Sequence, residues 1–526
     1  MNTDETSALR RDLRLHAAST PSHPAIVCGN ARLSYAELEA LANRIANVFR
    51  SFGLQRGEHI ASLLGNRPQA LAVAWAAYRC GLYLTPLATS LAPSELAYLV
   101  GDCDARLVVT EAALQSLVTD LAPLAHDASR AVKWLSFDRA APGFSAIEPL
   151  IANAADTPHD VEPAGALMVY TSGTTGAPKG VYRPLPPETF CGTPAFAADL
   201  HALFGLAEPG VRYLSTAPLY HAAPLRFALA VTAGGGTVHV MDRFDAGDAL
   251  RLLQEHAITH SQWVPTMFQR LLALPAAQRR AFHASHHRVA VHGAAPCPIA
   301  VKQSMIEWWG PILLEYYSGS EGIGLTLIDS AEALHKPGSV GRARKGVVHI
   351  MGAAGNEVPT GETGVVYFSV VKPFAYYKAP DKTAAKTSPQ GWQTFGDMGH
   401  VDAEGWLFLT DRQDDLIISG GVNIYPQEIE AAMLEVPGVW ECAVVGVPDE
   451  RFGERPVAFV VAAQDVAHDP AALLARIRAH NQRQLGRHKQ PDTIHLIASL
   501  PRTATGKVLR RRLRDLLDEL PGEPPV

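Results

Sequence analysis

The sequence predicts an α/β fold divided over more than one domain. Three observations predict it. The chain has 526 residues, too many for one hydrophobic core. Strand-like and helical segments alternate along most of it, a βαβ rhythm that implies parallel sheets covered by helices. The pattern then changes twice, to short alternating strands between Gly338 and Val370 and to a new compositional zone from about Asp411.

The elements follow in order. Ser34-Tyr35-Ala36-Glu37 has the form of a capping box and opens a helix. Leu38, Leu41, Ala42, Ile45 and Phe49 then recur at helical spacing and predict its buried face. Strand-like runs come at His59–Leu64 and Arg106–Thr110, with a helical stretch between them. Val211–Ala217 and Gly236–Met241 read as strands around a helical Leu225–Ala233. Asp248–His256 reads as helix and Ser261–Val264 as strand. Gly338–Val370, with its Gly/Pro turns, predicts a small β-rich subdomain. The last zone holds strand-like Glu441–Val447, Pro456–Val461 and Thr493–Ile497, helical Ala471–Leu485 and a charged amphipathic helix from Arg510 to Leu520. It is large enough for a small α+β domain.

Composition narrows the function classes. Charged residues are 19% and hydrophobic ones 47%, ordinary soluble globular usage. The formal charge of −6 comes without a long basic run, so no nucleic-acid footprint is expected. The charged, polar N-terminus shows no secretory signal, and the apolar run Ala70–Tyr78 is too short to span a bilayer. Cys28, Cys80, Cys103, Cys191, Cys297 and Cys442 are scattered without a C-x-x-C, so neither a disulfide framework nor a zinc knuckle is expected. The expectation is a reducing, cytoplasmic setting. His283, His286 and His287 are read as a solvated helix face rather than a metal site.

One stretch calls for a ligand. Thr171-Ser172-Gly173-Thr174-Thr175-Gly176 is followed by Pro178 and Lys179. Glycines let backbone amides point inward together, hydroxyls add donors and the lysine adds a positive charge. The natural guest is a polyphosphate. This is no Walker loop, because Gly180 follows the lysine and the next residues read as strand rather than helix. An unliganded hairpin tip is the bland alternative, so the rest of the chain must decide.

Five further stretches do so. They are Val291–Pro298 (VHGAAPCP), Tyr316–Gly322 (YYSGSEG), Gly391–Gly399 (GWQTFGDMG), Asp411–Glu430 (DRQDDLIISGGVNIYPQEIE) and Pro501–Leu513 (PRTATGKVLRRRL). The third ends a β segment on Asp397. Together and in this order, they resemble the adenylate-forming superfamily of acyl-CoA synthetases, adenylation domains and luciferases. The resemblance runs from about Asp12 to Leu517.

The resemblance implies a large N-terminal domain of doubly wound sheets with a small β-barrel-like subdomain, residues 1–412, and a small mobile α+β domain, residues 413–526. It implies that Thr171–Gly176 and Lys179 hold the ATP β- and γ-phosphates. Gly293-Ala294-Ala295-Pro296 would contact adenine, and Tyr317 would stack on it. Ser318 and Gly319 belong to the same nucleotide segment, Ser320 would contact the α-phosphate and Glu321 would hold Mg²⁺. Asp397 would accept the ribose hydroxyls, with Arg412 a second ribose or phosphate contact. Asp414 falls at the hinge, Lys507 at the catalytic lysine, and Gly420-Gly421 along the coenzyme A channel. Two departures stand out: Ser320 replaces the more usual Thr, and Ile418 stands where many relatives carry a lysine.

The implied substrates are ATP, coenzyme A and a carboxylic acid. His221 falls between the acyl pocket and the thiol tunnel; a hydrogen-bonded core histidine is the rival reading. The expected pocket wall is Ala222, Ala223, Val264, Gly293, Gly319, Gly322, Ile323 and Gly324. These residues are small or apolar, and no Asp waits for an amino group. A fatty, alicyclic, aromatic or steroid-like acid is expected. Two alternatives stay open: transfer to a carrier-protein phosphopantetheine, and a non-catalytic nucleotide-binding protein. A homodimer is compatible with the sequence, and no partner beyond the small molecules is called for.

Overall fold

Ser34 caps the helix Tyr35–Ser51 as predicted. Its side chain accepts from the Glu37 backbone N–H, and Glu37 Oε2 accepts from the Ser34 N–H at 2.8 Å. Leu38, Ala42, Ile45 and Phe49 are fully buried. Leu41 is only half-buried, because it lies at the margin of that stripe. The computed structural model describes residues 12–114, 116–117, 132–140, 143–171, 178–185, 193–194, 196–369, 373–420, 422–463, 469–502 and 508–517.

The chain divides into two compact units. The first is built from residues up to Thr171, Pro178–Glu315 and Phe374–Pro380, the second from Tyr316–Pro373 and Asp381 onward. In the first unit, one sheet runs in the order Ser145–Ala146, Lys133–Phe137, Ala105–Glu111, His59–Ser62, Tyr83–Pro86, Ala166–Leu167, with every neighbouring pair parallel. The strand Tyr83–Pro86, between the helices Pro68–Arg79 and Pro93–Asp102, occupies part of the stretch expected to be helical.

A second sheet of this unit orders Ala31–Ser34, Pro24–Cys28, Thr237–Val240, Arg212–Ser215, His260–Trp263, Val289–His292 and the part of Leu313–Tyr317 up to Glu315. All these pairs are parallel except the hairpin at the Ala31–Ser34 edge. The helix Pro68–Arg79 packs against strands of both sheets. That explains its composition: a helix buried on all sides must be apolar all round, and here Leu71 to Trp75 are fully buried. Its one charge, Arg79, is neutralised by Glu39, 3.0 Å away, and also donates to Asn43.

The second unit contains the predicted β-rich region as a six-stranded antiparallel sheet. Its order is Val347–Met351, Gly364–Ser369, Gln393–Val401, Leu407–Arg412, Ser339–Lys345, Leu325–Asp329. The predicted α+β zone follows. Its centre is the long hairpin of Val439–Asp449 and Gly453–Ala462, extended by Ile417–Ser419, Val422–Ile424 and Thr493–Leu496. Alternation along the strands builds two cores. Val444 and Val460 pack with Ile429, Met433, Leu473 and Ile477 of the helices Pro426–Leu434 and Pro470–Gln484. Val445, Val457 and Phe459 pack with Leu513 of the helix Arg510–Leu517. Residues 518–520, read as the end of that helix, lie outside the described residues.

The histidine cluster is corrected. His283, His286 and His287 lie in a loop, not on a helix, and His287 is buried with its Nε2 2.7 Å from Ser261 Oγ. Among the described residues no helix is long and apolar enough to cross a membrane. Cys28, Cys80, Cys103, Cys297 and Cys442 are free thiols, and Cys191 lies outside the described residues.

Candidate active site

Thr171 and Lys179 face each other across a hairpin. The short strand Tyr170–Thr171 pairs antiparallel with Lys179–Tyr182, so the Thr/Gly loop is bounded by strands on both sides, as its sequence requires. Ser172, Gly173, Thr174, Thr175 and Gly176 themselves lie outside the described residues. The hairpin is anchored twice. Tyr170 donates to Asp102 at 2.5 Å, and Ala375–Tyr376 adds a third strand beside Tyr182 and Val181. The Tyr376 ring lies under the lysine, its centroid 5.4 Å from Lys179 Nζ. Sequence reading missed Tyr376, which carries no local signal.

The other candidates of the first unit follow the carboxyl ends of adjacent parallel strands. His221 follows Arg212–Ser215 and immediately precedes the helix Ala222–Ala233, with Ala222 and Ala223 in its first turn. Val264 follows His260–Trp263 directly and immediately precedes the helix Pro265–Leu272. Gly293 follows Val289–His292. Ligands of open parallel sheets bind at such strand ends. His221 lies edge-on to Tyr220, ring centroids 4.6 Å apart. In the turn Gly293–Pro296, Ala294 holds φ at +70°. That left-handed conformation is unfavourable for a residue with a Cβ, and such outliers cluster at functional sites. Ala294 and Pro296 are exposed and Ala295 half-buried, so the turn presents its face outward.

The second unit brings Tyr317, Asp397 and Arg412 together. Asp397 lies within the strand Gln393–Val401, not at the end of a β segment as expected, and Arg412 stands opposite it on Leu407–Arg412. Tyr317 donates to Asp397 Oδ2 at 2.6 Å, and Arg412 Nε lies 3.3 Å from Oδ1. Burial, with the Asp397 charge beside it, pushes the Tyr317 hydroxyl well above the usual tyrosine range. Burial works against the Arg412 charge, but Asp397, Asp415, Tyr317 and Glu321 outweigh it and raise its pKa.

Ser318–Gly324 follows Tyr317 in the chain and leads to the strand Leu325–Asp329. Ser318 donates to the Gly324 carbonyl at 2.7 Å, and the Gly322 N–H closes a turn onto the Gly319 carbonyl at 2.9 Å. Position 319 admits only glycine, since a Cβ there would stand 2.5 Å from the Phe395 ring and 2.7 Å from Glu321 Oε2. The glycine thus lets the Glu321 carboxylate lie against the backbone. Ser320 and Gly322 are half-buried, while Ile323 is buried outright.

Asp414 is exposed in the turn Gln413–Asp415. Gly420 follows Ile417–Ser419 with φ +58° and donates to the Phe452 carbonyl at 2.7 Å. Gly421 and Lys507 lie outside the described residues. A bridge between Arg502 and Val508 closes the chain on either side of the lysine loop. Sequence reading also missed Asp411, Asp415, Glu430 and Arg510, a charge cluster around the turn in which Asp411 is buried and the other three half-buried. Asp411 and Asp415 flank assigned residues, but their partners come from far along the chain.

Residues 13–377 match the family model described as AMP-binding enzyme, and residues 428–507 the one described as AMP-binding enzyme C-terminal domain. The chain belongs to the AMP-binding enzyme family. A long-chain-fatty-acid–CoA ligase of Mycobacterium tuberculosis is 31% identical over 513 residues, covering 96% of this chain and 97% of that protein. A sulfoacetate–CoA ligase of Cupriavidus necator is 32% identical, covering 95% and 96%. The structure of o-succinylbenzoate CoA synthetase from Bacillus subtilis, in complex with its acyl-adenylate intermediate, is similar with a TM-score of 0.80 and 26% identity, covering 96% and 97%.

Proposed function

We propose that this protein is an ATP-dependent acid–CoA ligase acting in two half-reactions. A carboxylate oxygen attacks the α-phosphorus of ATP, the bond to the β-phosphate oxygen breaks, and pyrophosphate leaves. The thiol sulfur of coenzyme A then attacks the carbonyl carbon, loses its proton, and AMP departs. The observation that carries this reading is the grouping of Tyr317, Asp397 and Arg412, where a buried carboxylate is aimed by two donors. Near-full-length similarity to acid–CoA ligases supports it.

The roles follow from charge. Two anions must meet, so the site has to neutralise phosphate before attack. Lys179 and the Thr/Gly loop would hold the β- and γ-phosphates, and Lys507 the charge that moves as pyrophosphate leaves. Gly293–Pro296 and Tyr317 would hold adenine, Asp397 and Arg412 the ribose, and Ser318, Gly319 and Ser320 the α-phosphate side. Glu321 suits Mg²⁺: it is a buried, hard oxygen donor, and Mg²⁺ typically takes one or two carboxylates together with phosphate oxygens. Among the described residues no three Asp, Glu, His or Cys side chains form a cation cage. The metal would therefore come with the nucleotide and supply charge neutralisation.

Motion is part of the reading. Residues 1–412 would bind ATP and acid, and residues 413–526 would turn about Asp414 to exchange Lys507 for the Gly420-Gly421 channel. His221, Ala222, Val264, Gly293, Gly319, Gly322 and Ile323 would line the acyl pocket, and their mostly small or apolar side chains would suit a fatty, alicyclic, aromatic or steroid-like acid. Free thiols at five described cysteines fit a cytoplasmic setting.

Pyrophosphate release with ATP, Mg²⁺ and a panel of acids tests the reading. Acid-dependent release, greatest with a bulky apolar acid, is expected. Release from no acid in the panel would favour a nucleotide-binding protein without this chemistry. Acyl-AMP that forms but reacts only with a carrier-protein thiol would move the acceptor from coenzyme A to a carrier.

A further inference from the structure

The helix Pro426–Leu434 lacks a cap of its own. Tyr425 stands at the N-cap position and makes no side-chain bond to the helix. Pro426 has no N–H, so Gln427 offers the first backbone donor. That donor is met from elsewhere: the Gln427 N–H donates to Asp411 Oδ2 at 3.0 Å. Asp411 Oδ1 accepts from the Arg412 N–H at 2.7 Å, and the side chain is 2% exposed. Asp411 is thus a buried carboxylate whose two oxygens serve different stretches of chain.

The two stretches lie on opposite sides of the turn Gln413–Asp415. Asp411 is the last residue but one of the strand Leu407–Arg412, and Gln427 is the second residue of a helix of the α+β zone. The ion pairs that Arg510 makes lie on one side of the turn. Arg510 binds Glu430 at 2.7 Å and Asp415 at 3.3 Å, and all three follow Asp414 in the chain. A rotation about Asp414 would carry Arg510, Glu430 and Asp415 together and would separate Asp411 from Gln427.

We propose that Asp411 is a latch: by capping the helix Pro426–Leu434 it holds the small domain in one of its two working arrangements and must release it when the domain turns. This rests on the two-step reading above. It makes Asp411 a positioning residue that sets the balance between the half-reactions and touches no substrate. Its setting adds a pH handle. Burial pushes the Asp411 carboxyl up to about 6, against the pull of Arg510 and of the Gln427 and Arg412 N–H groups, with Glu430 adding to the rise. The groups facing it are therefore Arg510, Glu430 and the two amides, with Asp415 joined to it through Arg510. The latch carries full charge above that pH and weakens below it.

Asp411→Asn tests the latch. An amide has a single acceptor oxygen, so one of the two N–H groups loses its partner. Adenylation and thiolysis are to be measured as separate single-turnover rates. Their ratio should shift by roughly 3- to 30-fold, the range a lost helix cap supports. Asp411→Ala should move it the same way and at least as far. The wild-type ratio should change across pH 6, and the Asn variant's should lose that change. Tryptic cleavage after Arg412, which needs no activity, should quicken in both variants at unchanged thermal midpoint. Equal slowing of both half-reactions, an unchanged ratio or unchanged cleavage would overturn the latch. A wild-type enzyme that releases no pyrophosphate would instead overturn the ligase reading and leave the cleavage assay to decide the latch.

Discussion

Asp397 and Arg412 face each other across neighbouring antiparallel strands, with Arg412 Nε 3.3 Å from Asp397 Oδ1. Tyr317 takes the other carboxylate oxygen at 2.6 Å. The carboxylate is thus fixed by two side-chain partners before any nucleotide arrives, and its remaining lone pairs are left for ribose hydroxyls. Asp397→Asn should raise the KM for ATP by roughly 5- to 150-fold, the equivalent of about 1–3 kcal/mol for losing charge-assisted bonds. Nucleotide titration of the folded variant checks this. Unchanged ATP affinity would make Asp397 a strut between strands.

Tyr376 offers a finer test of the phosphate lysine. Its ring lies 5.4 Å from Lys179 Nζ on a paired strand. An ammonium over an aromatic face gains about 0.5–2 kcal/mol. Tyr376→Leu should therefore raise the KM for ATP by roughly 2- to 30-fold with a smaller change in kcat. Tyr376→Phe, which keeps the ring, should behave like the wild type. A Phe variant as impaired as Leu would show that the hydroxyl, not the ring face, matters.

What the sequence made legible was local. The helix Tyr35–Ser51 announces its start through Ser34 and Glu37 and its buried face through periodicity. Short apolar runs marked most of the strands around the candidate site, and the Thr/Gly loop declared its flanking strands. Pairings between distant segments were not legible. Pro24–Cys28 lies beside Thr237–Val240, and nothing local in either run names the other. Tyr376 and Asp411 escaped for the same reason, since each matters only for a partner brought to it by folding. The strand Tyr83–Pro86 was lost because a short buried run between two helices reads as helix. His287 escaped because its burial depends on Ser261 and Trp309, far from its polar neighbours in sequence.

Lys302 and Glu315 form a buried ion pair between the helix Ile299–Trp309 and the strand Leu313–Tyr317. Burial raises the Glu315 pKa, and Lys302 opposes the rise. Lys302→Met alone should destabilise the protein by about 3–5 kcal/mol, because it strands a buried carboxylate. Adding Glu315→Leu should recover most of the loss. Denaturant unfolding of the two variants checks it, and a double variant as unstable as the single one would show that shape rather than charge is at stake.

Stability should fall in mild acid. Burial lowers His59, His239 and His260 to about 4 and His287 to about 3, and holds His292 well below its ordinary value. The unfolded chain protonates these rings near pH 6.5 while the folded one does not. Their contribution is therefore complete above that pH and lost as pH falls towards 4, at up to about 1.4 kcal/mol per pH unit for each ring. Asp411, raised to about 6, opposes this by roughly one proton. Denaturant midpoints should be level above about pH 7 and drop steeply between about pH 6 and 5. Level midpoints down to pH 5 would contradict the buried neutral histidines.

The central claim is that the acid's own oxygen attacks the α-phosphorus. A carboxylic acid substrate labelled with ¹⁸O in both carboxylate oxygens tests it most directly, with ATP, Mg²⁺ and coenzyme A present and the products weighed by mass spectrometry. The account predicts one ¹⁸O in AMP, none in pyrophosphate, and one retained in the thioester. Unlabelled AMP, or label in a phosphate that came from the β or γ position, would contradict it.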